Sequence, residues 1–428
     1  METLLRTLEK FIPKKVYNFF QPAYHFLLAL TGTLLYRYPS KKIYVIGVTG
    51  TKGKSSTVEF INAVLEAAGK KTAILSTIRF KVGDTTRPNK YKMTMPGRFF
   101  VQKFLRQAVD AQCEYAIMEM TSEGARFFRH LGVELDALIF TNLSPEHIES
   151  HGSFKKYKQA KLRLAKKLAR SNKPARLSIA NIDNEHAYSF LVHNVEKNIG
   201  YSLKDVHIIS EDQSGSTIMY NHTEIHIPLP GKFNISNALA ALKLADELGI
   251  ATSESKKGIE SLSLIRGRVE KIEEGQDFTV IVDYAHTDDS LRKLYETFSS
   301  SESADSRLGR RLICVLGSTG GGRDSWKRPV LGKIADEFCS EIILTNEDPY
   351  DEDPMKIIGE VASGITTHEP KVILDRREAI AYAFSIAQKG DVVLITGKGT
   401  DPYIMGARGS KIPWDDAQVA REELLRKK

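Results

Sequence analysis

Gly47-Val-Thr-Gly-Thr-Lys-Gly-Lys-Ser-Ser56 stands between an apolar run, Ile43 to Val48, and a helical pattern, Ser56 to Ala68, that Gly69 closes. Glycines at a strand-to-helix turn let successive backbone N–H groups curl toward a phosphate. The N-terminus of the following helix adds its positive dipole end. Lys54 supplies a charge for terminal phosphates, and the Ser55 hydroxyl suits Mg²⁺. The common spacing, a glycine four residues before Gly-Lys, would put glycine at position 48, where the chain has Val48. The compact form Gly50-Thr51-Lys52-Gly53-Lys54-Ser55-Ser56 is present instead, and it predicts ATP binding over a functionless glycine turn.

Outward from this loop, strand and helix patterns alternate. Strands are predicted at Lys71 to Leu75, Tyr115 to Met120, Ala137 to Phe140 and Arg176 to Ala180, with a helix from Gly97 to Ala111. Such alternation implies an α/β fold with a mostly parallel sheet. Residues 203–229 change character into short antiparallel strands: Val206 to Ile209, Thr217 to Tyr220 and Glu224 to Ile227. Helices follow from Asn234 to Leu248 and from Ser253 to Ser261. Strands then resume at Phe278 to Val282, Arg311 to Leu316, Glu341 to Thr345, Lys371 to Leu374 and Asp391 to Thr396. The expected organisation is a short helical N-terminal segment (1–41), a central phosphate-loop ATPase domain (42–264) and a C-terminal Rossmann-like α/β domain (265–428).

With 42% hydrophobic and 27% charged residues, the 428-residue chain has an ordinary globular composition. Its net charge of +8 suits anionic ligands. The lysines form no block interleaved with aromatics, so no nucleic-acid partner is expected. Cys113, Cys314 and Cys339 lack metal-ligand spacing and read as buried thiols of a cytoplasmic protein without disulfides. Val16 to Tyr38 is rich in Phe, Tyr and Leu and flanked by Lys14, Lys15, Arg37, Lys41 and Lys42. Thr31, Gly32 and Thr33 interrupt it, and a membrane span needs about 20 apolar residues. It reads as one or two helices packing on the next domain, with contact to a membrane surface as the lesser reading.

The compact loop resembles that of the Mur ligase superfamily, which includes folylpolyglutamate synthases and cyanophycin-type synthetases. Further segments extend the resemblance along the chain from residue 43 onward. Glu119 ends a strand, and Phe140-Thr-Asn-Leu-Ser-Pro-Glu-His-Ile-Glu-Ser-His-Gly152 is similar to the family segment whose histidine helps to hold Mg²⁺. The resemblance implies Ser55, Glu119 and His147 as metal ligands and leaves His151 open. It makes Lys161, in Tyr157-Lys-Gln-Ala-Lys161, the lysine carbamylated by CO₂; read without the resemblance, Lys161 is one of many surface lysines. Pro228-Leu-Pro-Gly-Lys-Phe-Asn-Ile-Ser-Asn237 offers Asn237 to adenine, with Asn234 as a helix cap. Ile265-Arg-Gly-Arg-Val-Glu270 and Val282-Asp-Tyr-Ala-His-Thr287 look like the peptidoglycan branch. There Asp283 would take the ribose hydroxyls, while Arg268 and His286 would face phosphates. Gly317-Ser-Thr-Gly-Gly-Gly-Arg-Asp-Ser-Trp-Lys-Arg-Pro329 resembles the ligase loop that directs Arg323 to the amino-acid carboxylate and Lys327 to the reacting phosphate.

The activity implied is ATP-dependent: a carboxylate becomes an acyl phosphate and an amine displaces the phosphate. Within the superfamily the chain is similar to ligases that add the third residue to a muramoyl dipeptide. Members specific for diaminopimelate carry Asp-Asn-Pro-Arg where this chain has Glu347-Asp-Pro-Tyr350. Tyr350 replaces the arginine and Asp348 the asparagine. The acids Asp348, Asp351 and Asp353 would suit a cationic end, so L-lysine or another diamine is expected, with meso-diaminopimelate retained as an alternative because Arg323 remains. Thr396-Gly397-Lys-Gly-Thr-Asp401 resembles the family's Gly-Lys-Gly-His-Glu turn, placing Gly397 and Asp401 by the amino acid. Only residues 1–42 precede the loop region, so the domain that holds a UDP-sugar in such ligases is expected to be reduced or absent. The expected partners are a nucleotide, an amino acid and a carboxylate acceptor, for a monomer. The rivals are a polyglutamate synthase, which Tyr284 and Thr287 oppose, and a non-catalytic ATP-binding scaffold, which Lys54, Glu119, His147 and Lys161 oppose.

Overall fold

The computed structural model describes residues 14–191, 194–299 and 311–427. The chain divides into two compact units. One comprises Met1–Gly50, Gly69–Asn142 and Lys158–Gly200, and the other Thr51–Ala68, Leu143–Tyr157 and Tyr201–Lys428.

In chain order the helices are α1 (Lys14–Leu35), α2 (Lys54–Ala67), α3 (Arg98–Asp110), α4 (Phe154–Ala169), α5 (Lys232–Glu247), α6 (Thr252–Ser261), α7 (Asp288–Ser299), α8 (Lys327–Phe338), α9 (Pro354–Ala362), α10 (Arg376–Ile386) and α11 (Asp416–Lys427), besides single helical turns. The first unit is built on an eight-stranded sheet of β1 (Tyr44–Thr49), β2 (Thr72–Leu75), β3 (Arg79–Val82), β4 (Thr85–Pro88), β5 (Tyr115–Glu119), β6 (Ala137–Phe140), β7 (Leu177–Asn181) and β8 (Lys197–Tyr201). Their order is β4-β3-β2-β5-β1-β6-β7-β8. β1 lies centrally and runs parallel to β5 and β6, with Val48 level with Glu119 and Thr49 level with Phe140. β1, β5 and β6 are almost wholly buried, as a parallel sheet covered on both faces requires. The β2–β3–β4 edge is antiparallel.

The second unit carries two larger sheets and a two-stranded hairpin. β9 (His207–Asp212), β10 (Gly215–Tyr220) and β11 (Thr223–Ile227) form an antiparallel meander, as the sequence predicts. In the same unit α2 packs on α5 and α6. Gly258 of α6 allows the close approach, since a Cβ there would lie 2.6 Å from the Ala63 carbonyl oxygen. The third sheet contains β12 (Glu270–Ile272), β13 (Thr279–Asp283), β14 (Leu312–Leu316), β15 (Glu341–Leu344), β16 (Lys371–Val372) and β17 (Val392–Thr396). Its order is β12-β13-β17-β14-β15-β16, parallel except for β12. Alternation along β14 sends Leu312, Cys314 and Leu316 into a core with α7, α8 and α9, and Ile313 and Val315 into one with α10 and α11. This is the Rossmann-like arrangement expected. A small hairpin, β18 (Tyr403–Met405) with β19 (Lys411–Pro413), follows.

Arg376 and Asp416, both fully buried, tie α10 to α11. Their two bonds measure 2.8 and 2.7 Å, and Arg376 also donates to the Thr396 carbonyl at the end of β17. Removing one partner from such a pair costs about 3–5 kcal/mol.

The structure corrects one cysteine expectation. Cys314 and Cys339 form a disulfide with Cα atoms 6.1 Å apart, because the return from β14 through α8 brings residues 25 apart in sequence side by side. Cys113 is a buried thiol. Among the described residues no helix is long and apolar enough to cross a membrane.

Burial, and then the charge of Lys167, holds the His130 imidazole down to about 4 from 6.5. A lowered histidine value means the unfolded chain binds the extra proton first. Stability is therefore full above pH 6.5 and falls as pH drops toward 4, by on the order of 3 kcal/mol. His130→Gln should flatten this part of the stability profile in urea titrations across that range; an unchanged slope would refute the assignment.

Candidate active site

Each end of the phosphate loop is fixed by a glycine that no other residue could replace. Gly50 has φ of +153°, and a Cβ there would meet the Thr141 hydroxyl at 2.0 Å. Gly53, at φ +77°, precedes the first turn of α2, and its Cβ would lie 2.3 Å from Asn237 Oδ1.

In the first unit, Lys161 is buried, unlike exposed Lys155, Lys156 and Lys166 on the same helix. It belongs to the inward stripe Tyr157, Ala160, Lys161, Leu164, Ala165 and Leu168. Its Nζ donates to the Gly50 carbonyl at 2.6 Å. Glu119, also buried at the carboxyl end of β5, accepts the Thr77 N–H at 2.9 Å through Oε2. Carboxyl ends of parallel strands are where such sheets bind ligands.

In the second unit, Lys54 at the start of α2 folds back to donate to the Thr51 carbonyl at 2.8 Å, and Ser55 and Ser56 are buried beside it in sequence. Thr51 Oγ1 lies 3.0 Å from the Tyr157 hydroxyl and accepts the Ser144 N–H at 3.1 Å. Lys52 donates to Glu146 Oε1 at 3.2 Å, the oxygen that also faces His286 Nε2 at 3.2 Å. His286 Nδ1 sits 2.7 Å from the Tyr284 carbonyl. Lys327 Nζ donates to the His286 carbonyl at 2.9 Å. Burial opposes the charge on Glu146, but Lys52, His286 and His147 together hold its carboxyl well below the usual range. Burial lowers the Lys52 ammonium, with Glu146 opposing. Sequence reasoning missed Glu146; its signal was an acid next to His147 in a strand-end segment.

His147 adopts left-handed φ of +56° ahead of the single turn Ile148–His151. Asp324 fixes this turn, accepting the His147 and Ile148 N–H groups at 3.0 and 3.2 Å. His151 is buried edge-on to Tyr157, 5.4 Å between ring centres. Asn237 is set against the phosphate loop. Its Oδ1 accepts the Thr57 hydroxyl at 3.2 Å and its Nδ2 donates to Asn234 Oδ1 at 3.4 Å. Asn234 is not the cap: Gly231 holds that position, and Asn234 bonds the Pro230 carbonyl from inside the first turn.

Asp283 ends β13 with each oxygen accepting a backbone N–H, from Val269 and Ala285, both at 2.7 Å. Burial pushes its carboxyl up, opposed by Arg268. The Arg268 guanidinium lies over the Tyr284 ring at 4.4 Å. Exposed Arg323 lies over the Tyr350 ring at 4.9 Å, and among the described residues no carboxylate pairs with it.

The acids after β15 do not form a cation pocket. Buried Asp348 accepts from Lys398 Nζ and the Met405 N–H, both at 2.8 Å; Asp351 accepts the Arg408 N–H; Asp353 caps α9. Asp401 stands 3.4 Å from Lys398, which also donates to the Tyr403 carbonyl. Glu347 is different. It is buried, its Oε1 accepts the Thr319 hydroxyl at 2.7 Å, and its Oε2 has no hydrogen-bond partner. A Cβ on Gly397 would approach that oxygen to 2.6 Å, so glycine keeps the space open. Glu347 is the second residue that sequence reasoning missed.

The donor chemistry fits Mg²⁺. Ser55, at the start of α2, offers a hard oxygen, and among the described residues no three His, Cys, Asp or Glu side chains gather into a cage of their own. Mg²⁺ takes few protein ligands and completes its shell with phosphate and water.

Comparison with known proteins agrees with this chemistry. The Mur ligase middle domain matches residues 48–245, and the Mur ligase, glutamate ligase domain matches residues 267–399. A UDP-N-acetylmuramoyl-L-alanyl-D-glutamate–2,6-diaminopimelate ligase of Syntrophomonas wolfei subsp. wolfei is 35% identical over 417 residues, 94% of this chain and 82% of that one. A UDP-N-acetylmuramyl-tripeptide synthetase of Roseiflexus sp. is 34% identical, covering 93% and 81%. A solved UDP-N-acetylmuramoyl-L-alanyl-D-glutamate–2,6-diaminopimelate ligase superposes with a TM-score of 0.61 at 28% identity, over 92% of this chain and 82% of the other. Folylpolyglutamate synthase of Mycobacterium tuberculosis, at 17% identity, shares the fold with a TM-score of 0.70, over 88% and 93%. The chain belongs to the Mur ligase family of ATP-dependent, amide-bond-forming ligases.

Proposed function

We propose that this ligase adds a diamino acid, diaminopimelate, to a muramoyl-L-alanyl-D-glutamate acceptor, in the cytoplasm. The observation that carries the amino-acid assignment is an exposed guanidinium and an unbonded carboxylate oxygen on two loops joined by the Gly320 N–H bond to the Asp348 carbonyl. Arg323 rests on the Tyr350 ring with no carboxylate partner among the described residues, and buried Glu347 Oε2 lacks a donor. One cation and one anion match the carboxylate and ammonium of an amino acid. With Asp348, Asp351 and Asp353 committed to the protein itself, the argument for a lysine side chain loses its acids. The relatives named for diaminopimelate favour the same choice.

In this reading Lys54 and the first turn of α2 bind the terminal phosphates of ATP. Mg²⁺, when bound, would neutralise phosphate charge, with Ser55, Glu119 and His147 as its ligands. A carboxylate oxygen of the acceptor attacks the γ-phosphorus, the bond to ADP breaks, and an acyl phosphate forms. The amine nitrogen then attacks the acyl carbon, phosphate leaves, and the nitrogen loses a proton. Lys327 and His286 bind phosphate oxygens, Asp283 and Arg268 the nucleotide, and Asn237 shapes the loop or meets adenine. Lys161 is proposed to be carbamylated, turning a buried cation into an anion. The domain boundary is proposed near Leu264 and Ile265.

Lys54→Ala should lower acceptor-dependent ADP release by about 100-fold or more; an undiminished rate would sink the mechanism. Arg323→Ala and Glu347→Gln should each raise KM for the amine about tenfold and leave KM for ATP unchanged. Equal losses for every substrate would instead mark a structural role. Mass spectrometry of the product should show addition of diaminopimelate, and a lysine adduct would overturn the assignment.

A further inference from the structure

Helix α1 presents apolar side chains on two opposite faces. One face is spent on the first unit. Ala29 and Thr33 are buried, Thr33 donates to the Ala29 carbonyl, and the helix packs on α3 with Gly32 close to Phe99. The other face carries Tyr24, Phe26, Leu27, Leu30, Leu34 and Leu35, all exposed, with Leu27 at 60% and Leu35 at 64%. Spacings of three and four residues place Leu27, Leu30 and Leu34 on one line. The polar residue among them, Thr31, turns its hydroxyl back to the Leu27 carbonyl at 2.8 Å. No charged residue lies between Tyr24 and Tyr36. Contiguous apolar surface of this kind on a folded protein marks an interaction site.

Charge identifies the partner. Beyond the exposed leucines stand exposed Arg37, Tyr38, Lys41 and Lys42, and the helix begins with Lys14 and Lys15 in sequence. From residue 14 to residue 42 there are five Lys and Arg and no Asp or Glu. A second copy fits poorly. Parallel pairing sets Arg37, Lys41 and Lys42 against themselves, and in either orientation the segment offers no acid of its own to pair with them. An anionic bilayer surface satisfies both features, taking the leucines into the acyl boundary and the cations among headgroups. Tyr38 suits the interface, where an apolar ring and a polar tip are both accommodated. Among the described residues no helix is long and apolar enough to cross a membrane, so such a helix would lie along the surface.

We propose that α1 docks the ligase reversibly on an anionic membrane surface. The full chain should co-sediment with vesicles of phosphatidylcholine and phosphatidylglycerol, bind vesicles of phosphatidylcholine alone about tenfold more weakly, and be released at about 0.5 M salt. Leu27→Glu with Leu30→Glu and Leu34→Glu should abolish binding. Arg37→Gln with Lys41→Gln and Lys42→Gln should weaken it about tenfold. Both variants should retain ligase turnover without vesicles, since none of these side chains belongs to the active site. Failure to bind vesicles, equal binding to neutral vesicles, or binding untouched by the leucine changes would each overturn the proposal. So would a dimer in sedimentation velocity that the leucine variant abolishes, with no vesicle binding.

Discussion

The second unit depends at its chemical centre on one buried carboxylate. Glu146 takes charge from Lys52 of the phosphate loop and from His286 after β13 through the same oxygen. A carboxylate taken out of water is costly unless paired, and removing one partner of a buried pair costs about 3–5 kcal/mol. Two residues 234 positions apart are therefore held to a common point by electrostatics as much as by packing. His286 carries this order further, since its ring leans on the Tyr284 carbonyl and its own carbonyl receives Lys327. Lys52 is thus paired with Glu146, and Lys327 is anchored to the backbone of the residue on the other side of that carboxylate.

The glycines impose a complementary constraint. At Gly50 the backbone runs where no side chain fits, against Thr141, and its carbonyl is held by the Lys161 ammonium. At Gly53 the Asn237 amide closes in from α5. The loop is thus set before any ligand arrives, which spares the ordering cost that a flexible loop would incur on binding.

What the sequence disclosed follows from how local each signal is. The β1–loop–α2 segment depends on adjacent glycines, a lysine and serines, so its ends were placed to within two residues. The buried parallel strands were legible for the same reason, and Ala137 to Phe140 was located to the residue. The β3–β4 hairpin escaped because β4 is Thr-Thr-Arg-Pro with every residue exposed, leaving no alternation to read. β12 has only three residues. Lys161 looked like its neighbours because a letter code does not show helical phase; only its register with Tyr157, Leu164 and Leu168 reveals burial. Glu146 and Glu347 were hidden among other acids, and their distinction is a partner, or the lack of one, far along the chain. The Cys314–Cys339 bond is likewise a tertiary fact.

The acids after β15 show how charge read from sequence alone can mislead. Asp348, Asp351 and Asp353 in one stretch suggest a pocket for a cation, yet a carboxylate attracts a ligand only if the fold leaves it unsatisfied. Asp348 is matched by Lys398 with both side chains almost fully buried, so the two cancel where water cannot screen them. Asp353 is spent on a helix N-terminus, where a carboxylate stabilises by about 1 kcal/mol. Glu347, one residue before Asp348, has the opposite fate. Its outer oxygen is kept unpaired by the missing side chain at Gly397, and Arg323 rests on Tyr350 instead of a carboxylate. Glu347 Oε2 and the Arg323 guanidinium are thus left without a hydrogen-bond or ion-pair partner among the described residues. The tyrosine at position 350 fits this division: its ring holds the Arg323 guanidinium by cation–π attraction without consuming its charge.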